Sequence, residues 1–180
     1  MENKLTHDEL IAIGKKWLSV QHGGKDIGYH QSGMGVILTE FVCYADNIPD
    51  VIGFNSDISV LIECKVSHSD FLADLKKPHR HDSNRTQLGN YRYYLAPPEV
   101  IKTEEVPDTW GLLVWTGKQV EIIKQAEFHN SFDVRNAEFP ILYSIARRAE
   151  VKGFLSEIVK PLPPPVIPEW YKEYLKSVKK

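Results

Sequence analysis

The sequence predicts an α/β domain, and three observations carry that prediction. A capped amphipathic helix opens the chain, short runs rich in β-branched and aromatic residues follow it, and further helical stretches with their own start and stop signals interrupt and close the series. At 180 residues, with 42% hydrophobic and 26% charged, the chain has the size of one globular domain with a sizeable core, so one site is expected.

The elements follow in order. Thr6-His7-Asp8-Glu9 ahead of Leu10, Ile13, Trp17 and Leu18 reads as a capping box opening a helix that runs to about Val20. The next stretch, QHGGKDIGYHQSGMG, is polar and glycine-rich; its glycines do not follow a strand in a phosphate-binding pattern, so it is expected to be a mobile loop. Val36 to Tyr44, Asp50 to Phe54 and Val60 to Val66 read as three strands of a meander. A helix is expected from Ser69 to Lys77, with a serine cap, acids in its first turn, lysines in its last and Pro78 just beyond. Tyr91 to Ala96, Trp110 to Thr116 and Gln119 to Ala126 read as further strands, the last two joined at Gly117-Lys118, and another helix is expected from about Ile141 to Val159. From Pro161 the text PLPPPVIPEWYKEYLKSVKK predicts a proline-rich linker and a short amphipathic helix, a segment 161–180 set apart from a domain over 1–160. Trp170, Tyr171, Tyr174, Leu175 and Val178 share one face of that helix, which either docks on its own domain or meets a protein partner or second subunit as in a homodimer.

Composition excludes some functions. A net charge of −2 and a pI near 6.4 do not suit a protein that coats nucleic acid by bulk positive charge, so any phosphate-binding surface is confined. Cys43 and Cys64 are the only cysteines and sit in apolar surroundings, as reduced core thiols do. No apolar run is long enough to span a bilayer, and the start lacks a secretory-signal pattern, so no membrane association and a cytoplasmic location are expected.

Charges inside two of the predicted strands need a reason. In Val60-Leu61-Ile62-Glu63-Cys64-Lys65-Val66, alternation puts Val60, Ile62, Cys64 and Val66 on one face and Leu61, Glu63 and Lys65 on the other. Asn55-Ser56-Asp57 are strong turn formers, and a hairpin folded about Ser56-Asp57 sets Asp50 opposite Glu63. Two carboxylates about 5 Å apart repel by roughly 3 kcal/mol at an effective dielectric of about 20, so a positive charge is required beside them. Lys65 supplies one, and converging carboxylate oxygens also begin a site for a hard divalent cation such as Mg2+. Glu40, on the apolar stripe of Val36, Leu38 and Val42, would point to the same cluster if its strand neighbours the hairpin.

Pro49-Asp50 followed by Glu63-Cys64-Lys65 resembles the PD-(D/E)XK motif of the restriction-endonuclease-like nuclease superfamily. The flanking text VILTEFVCYADNIPDVIGF, VLIECKVSHSDFLADLKKP and YRYYLAPPEVI is similar to small bacterial and phage proteins related to the MmcB-like DNA repair family. The resemblance runs from Thr6 to about Trp115. It implies a central mixed β-sheet flanked by helices and a metal-dependent nuclease that hydrolyses phosphodiester bonds in DNA, with RNA left open as substrate. It implies Asp50 and Glu63 as ligands of Mg2+, or of Mn2+ in its place, the backbone carbonyl of Cys64 as a further ligand, and Lys65 as the residue that orients the attacking water or helps to deprotonate it. Glu40 would match the extra acid upstream of the motif. A carboxylate-held Mg2+ with a lysine beside it is coherent with such hydrolysis.

Lys76, Lys77, Arg80 and Arg85 form the most basic segment, just after the helix that follows the motif, and are the expected contacts to nucleic-acid phosphates. The competing reading is a nuclease-fold protein of reduced catalytic power that binds nucleic acid or protein, in a repair complex or in phage interference with host defence.

Overall fold

The computed structural model describes residues 5–20, 33–43, 48–77, 87–129 and 131–158. The chain divides into two compact units, Met1–Ser144 and Ile145–Lys180. The tail from Pro161 lies outside the described residues.

Helix α1, His7–Ser19, starts where the capping box requires. Thr6 Oγ1 accepts the Glu9 N–H at 3.3 Å, and the Glu9 carboxylate accepts the Thr6 N–H at 2.8 Å. The helix buries Leu10, Ile11, Gly14, Trp17 and Leu18. It lies against one face of a six-stranded sheet made of β1 (Val36–Thr39), β2 (Val51–Phe54), β3 (Ser59–Cys64), β4 (Tyr91–Ala96), β5 (Gly111–Trp115) and β6 (Val120–Lys124), in that spatial order. The first three strands form the expected antiparallel meander, β3, β4 and β5 are parallel, and β6 returns antiparallel. Helix α2, His68–Leu75, makes the crossover from β3 to β4. The protein is thus α/β, a mixed sheet flanked by helices.

Alternation along β3 and β4 sorts the core. Val60, Ile62, Cys64, Tyr91, Tyr93 and Leu95 pack with Leu10, Trp17 and Leu18 on the α1 face. Leu61, Glu63, Arg92 and Tyr94 alternate with them and take the opposite face, where Tyr94 meets Phe71 of α2 edge-on at 5.0 Å and stacks on Trp110 at 4.5 Å.

The register of β2 on β3 decides the geometry of the site. Val51 pairs with Ile62, Ile52 with Leu61, Gly53 with Val60 and Phe54 with Ser59, the register expected from the turn residues. Asn55 sets that turn: its Oδ1 accepts the N–H groups of Asp57 and Ile58, both at 2.9 Å.

Among the boundaries that differ from expectation, three have a clear local cause. Strand β1 stops at Thr39, well before Tyr44, because Glu40 adopts φ 45° and turns its N–H onto the carbonyls of Pro49 and Asp50. Helix α2 starts at His68 and not at Ser69, since Ser67 is its cap: Ser67 is extended and its Oγ accepts the Asp70 N–H at 3.3 Å. The helix expected from Ile141 is α3, Ser131–Val151, which runs through Pro140, and a single turn, Leu155–Ile158, follows. The burial of Val134, Glu138 and Ile141, at helical spacing, outweighs the cost of an interior proline.

Glu138 holds α3 to the N-terminal ends of β3 and β4. Its Oε1 accepts the Ser59 hydroxyl at 2.5 Å and the Gly89 N–H at 3.0 Å, while Asn90 Oδ1 accepts the Ser59 N–H at 2.9 Å. Burial pushes the Glu138 carboxyl above its usual range, against the hydrogen bonds from Ser59 and Gly89. A raised carboxyl pKa favours the fold while the group is protonated, and that contribution is lost as pH rises through the folded value. Urea denaturation should therefore show Glu138→Gln gaining stability on the wild type as pH rises above about 4.5. Glu138→Ala, which strips the shared acceptor, should cost about 1–3 kcal/mol.

Candidate active site

Asp50 stands where β2 and β3 part. The Lys65 N–H bonds the Leu95 carbonyl of β4 at 2.9 Å, so the preceding N–H, of Cys64, points toward β2. There β2 has ended, and Asp50 Oδ2 takes the place of a strand carbonyl, accepting the Cys64 N–H at 2.7 Å. The N-terminus of α1 closes the other side, with His7 Nε2 at 3.3 Å from the same oxygen. This places the Asp50 carboxylate abreast of Glu63-Cys64, next in line after the Val51–Ile62 pair.

Glu63 and Lys65 share the α2 face, and both are buried. The Lys65 ammonium lies 3.7 Å from Glu63 Oε2 and 3.6 Å from Asp74 Oδ1, and Asp74 is itself only 1% exposed. Asp74 Oδ2 accepts the Tyr94 hydroxyl at 2.9 Å, and Lys77 Nζ reaches Oδ1 from the rim at 2.7 Å. At such distances each Lys65–carboxylate attraction is about 4–5 kcal/mol at an effective dielectric of about 20, before desolvation is subtracted. Burial alone would lower the lysine's pKa; Glu63, Asp74, Asp50 and Asp70 together outweigh it and hold the pKa above its ordinary value. Lys65 is therefore an ammonium at neutral pH. It acts as a fixed cation between Glu63 and Asp74.

Cys64 points to the α1 core, and burial, then the Asp50 and Glu63 charges, push its thiol well up, so it is inert. Its backbone carbonyl lies at the end of β3, between Glu63 and Lys65 in sequence. Glu40 is not buried in an apolar stripe: it is exposed, beyond the end of β1, in the left-handed conformation. Its charge still bears on the Cys64 thiol, as the weakest of the acids that do. Lys76 is the C-cap of α2 and exposed, Lys77 is the rim partner of Asp74, and Arg80 and Arg85 lie outside the described residues.

Asp50 and Glu63 thus stand at this end of β3, with Asp74 on the far side of Lys65. No group of three or more His, Cys, Asp or Glu side chains disposed to hold a metal occurs among the described residues. Mg2+ is commonly held through one or two carboxylates, with water and phosphate oxygens completing the shell, and Asp50 and Glu63 would be the residues to hold it. A cleft of about 750 Å3 lies elsewhere, between α1 and the β5–β6 hairpin, lined by Ile13, Trp17, Trp115 and Ile122 with Lys16 and Lys118 among its polar residues.

Sequence reasoning missed three residues of the cluster, His7, Asp74 and Tyr94. A partial signal existed for Asp74, which shares a helical face with Phe71 three residues earlier.

Comparison with known proteins assigns no family: no family model matches the chain, and no curated protein matches it. The solved structure of the SPO1766 protein of unknown function from Silicibacter pomeroyi is similar to it, at 24% identity and TM-score 0.46, over 65% of this chain and 78% of that one. Among the described residues no helix is long and apolar enough to cross a membrane.

Two outcomes follow in unfolding experiments. Asp50→Ala leaves the Cys64 N–H without its acceptor and should cost about 1–3 kcal/mol, whereas Asp50→Asn keeps an oxygen there and should recover most of that loss. Lys65→Met removes the cation that Glu63 and Asp74 share and should cost about 3–5 kcal/mol.

Proposed function

We propose that this protein is a Mg2+-dependent nuclease that hydrolyses phosphodiester bonds in DNA, in DNA repair or in phage or bacterial DNA metabolism. The observation that carries the reading is the β2–β3 register, which sets Asp50 beside Glu63-Cys64 with the Lys65 ammonium on the Glu63 face. Lone acids in water would need no such arrangement. Mg2+, when bound to Asp50 and Glu63, would supply a Lewis acid for the phosphate and lower the pKa of its water.

The chain's own residues divide the remaining work. In the overall reaction a water oxygen bonds to phosphorus, the P–O bond to the leaving sugar oxygen breaks, and the proton lost by the water is balanced by one gained at the leaving oxygen. Lys65, held between Glu63 and Asp74, stabilises negative charge developing on the phosphoryl oxygens and orients the water. Lys76 and Lys77 would meet the flanking phosphates at the rim of α2, and the two free thiols suit a reducing, cytoplasmic setting.

A binding module without turnover is the second reading, favoured by one observation: Asp50 Oδ2 is already engaged by the Cys64 N–H and by His7. The two readings part in a cleavage assay on single-stranded, duplex, nicked and branched DNA, with RNA alongside, in Mg2+ or Mn2+. The nuclease reading expects metal-dependent cleavage that is lost in Glu63→Ala and falls at least ~100-fold in Lys65→Ala. Absence of cleavage, with nucleic-acid binding that needs no metal and survives Lys65→Ala, would establish the module instead.

A further inference from the structure

We infer that Asp74 is the positioning residue of Lys65, a second anchor that keeps the ammonium in place when Glu63 turns to a cation; the catalytic consequence rests on the nuclease reading given above. Lys65 is suspended between two carboxylates at nearly equal range, 3.7 Å from Glu63 and 3.6 Å from Asp74, and makes close contact with neither. One carboxylate would have sufficed to neutralise it. The second is supplied from another element and is locked there by its own partners. Ser67 fixes the start of α2, which turns Phe71 and Asp74 to the buried side together. The Tyr94 hydroxyl holds Asp74 Oδ2 at 2.9 Å, and the Tyr94 ring is itself gripped by Phe71 and Trp110. Lys77, 46% exposed at its side chain, balances the extra charge from the rim.

The arrangement answers a problem of competition. An ammonium that had only Glu63 for a partner would sit on that carboxylate and oppose any cation that Glu63 took up. With Asp74 at equal range, Lys65 gives up Glu63 without leaving the site. The same carboxylate links the buried lysine to Lys77, the rim lysine that the sequence marks as a phosphate contact.

Asp74→Asn tests this, since it keeps shape and an acceptor for Tyr94 and removes only the charge. Calorimetric titration of the substrate-free protein with Mn2+ should show Kd rising about tenfold in Asp74→Asn. In a Lys65→Gln background the same change should leave Kd within twofold, because no ammonium remains to collapse onto Glu63. Cleavage by Asp74→Asn should show kcat reduced at least tenfold with KM within twofold, and Tyr94→Phe a smaller fall in kcat. An equal Kd shift in both backgrounds, or none in either, would overturn the assignment. If the wild type neither binds Mn2+ nor cleaves, the nuclease reading is what fails. The positioning claim is then decided by the 15Nζ–1H resonance of Lys65, a readout that also holds if Lys65→Gln does not fold. Asp74→Asn should shift or broaden it, and an unchanged resonance would sink the claim.

Discussion

A buried lysine ammonium shared by two buried carboxylates is the constraint on which this end of the molecule depends. Lys65, Glu63 and Asp74 come from one strand end and one helix, and their mutual attraction offsets the cost of burying each charge. The rest of the α2 face follows from holding them together. The Ser67 cap sets the helix phase, Phe71 and Trp110 bracket Tyr94, and Tyr94 pins Asp74. Asp50 solves a separate problem at the same place, the N–H of Cys64 left over where β2 stops.

The position of the cluster in the fold is consistent with a site for an anion or a cation. It lies at the C-terminal end of β3, where the antiparallel meander parts from the parallel half of the sheet. The opposite end of the same strands carries a different buried polar network, Ser59, Asn90 and Glu138, whose groups satisfy one another and anchor α3. The contrast is informative: one end spends its polar residues on docking a helix, the other gathers charge at the strand ends.

What the sequence revealed was what local rules control. Turn chemistry at Asn55-Ser56-Asp57 sets the hairpin register, and strand alternation then puts Glu63 and Lys65 on one face, so the β2–β3 register and that shared face were legible before any coordinates. The meander, the capping box of α1 and the span of β4 were legible for the same reason. Glu40 was misread because alternation was carried past the end of β1, where a left-handed residue breaks it. The start of α3 was misread because its register is fixed by burial of Val134 and Glu138, and Glu138 bonds Ser59 seventy-nine residues away. Asp74 and Tyr94 could not be assigned to the site from spacing, since the β3–α2–β4 crossover alone brings them to Lys65.

Diffraction from crystals soaked in Mn2+ would locate the ion through its anomalous signal. One strong peak is expected within about 2.0–2.3 Å of carboxylate oxygens from both Asp50 and Glu63, with Lys65 retained on Asp74. Crystals of the same protein in which Asp50 keeps the Cys64 N–H and His7, Glu63 keeps Lys65, and no peak falls between the acids would contradict it.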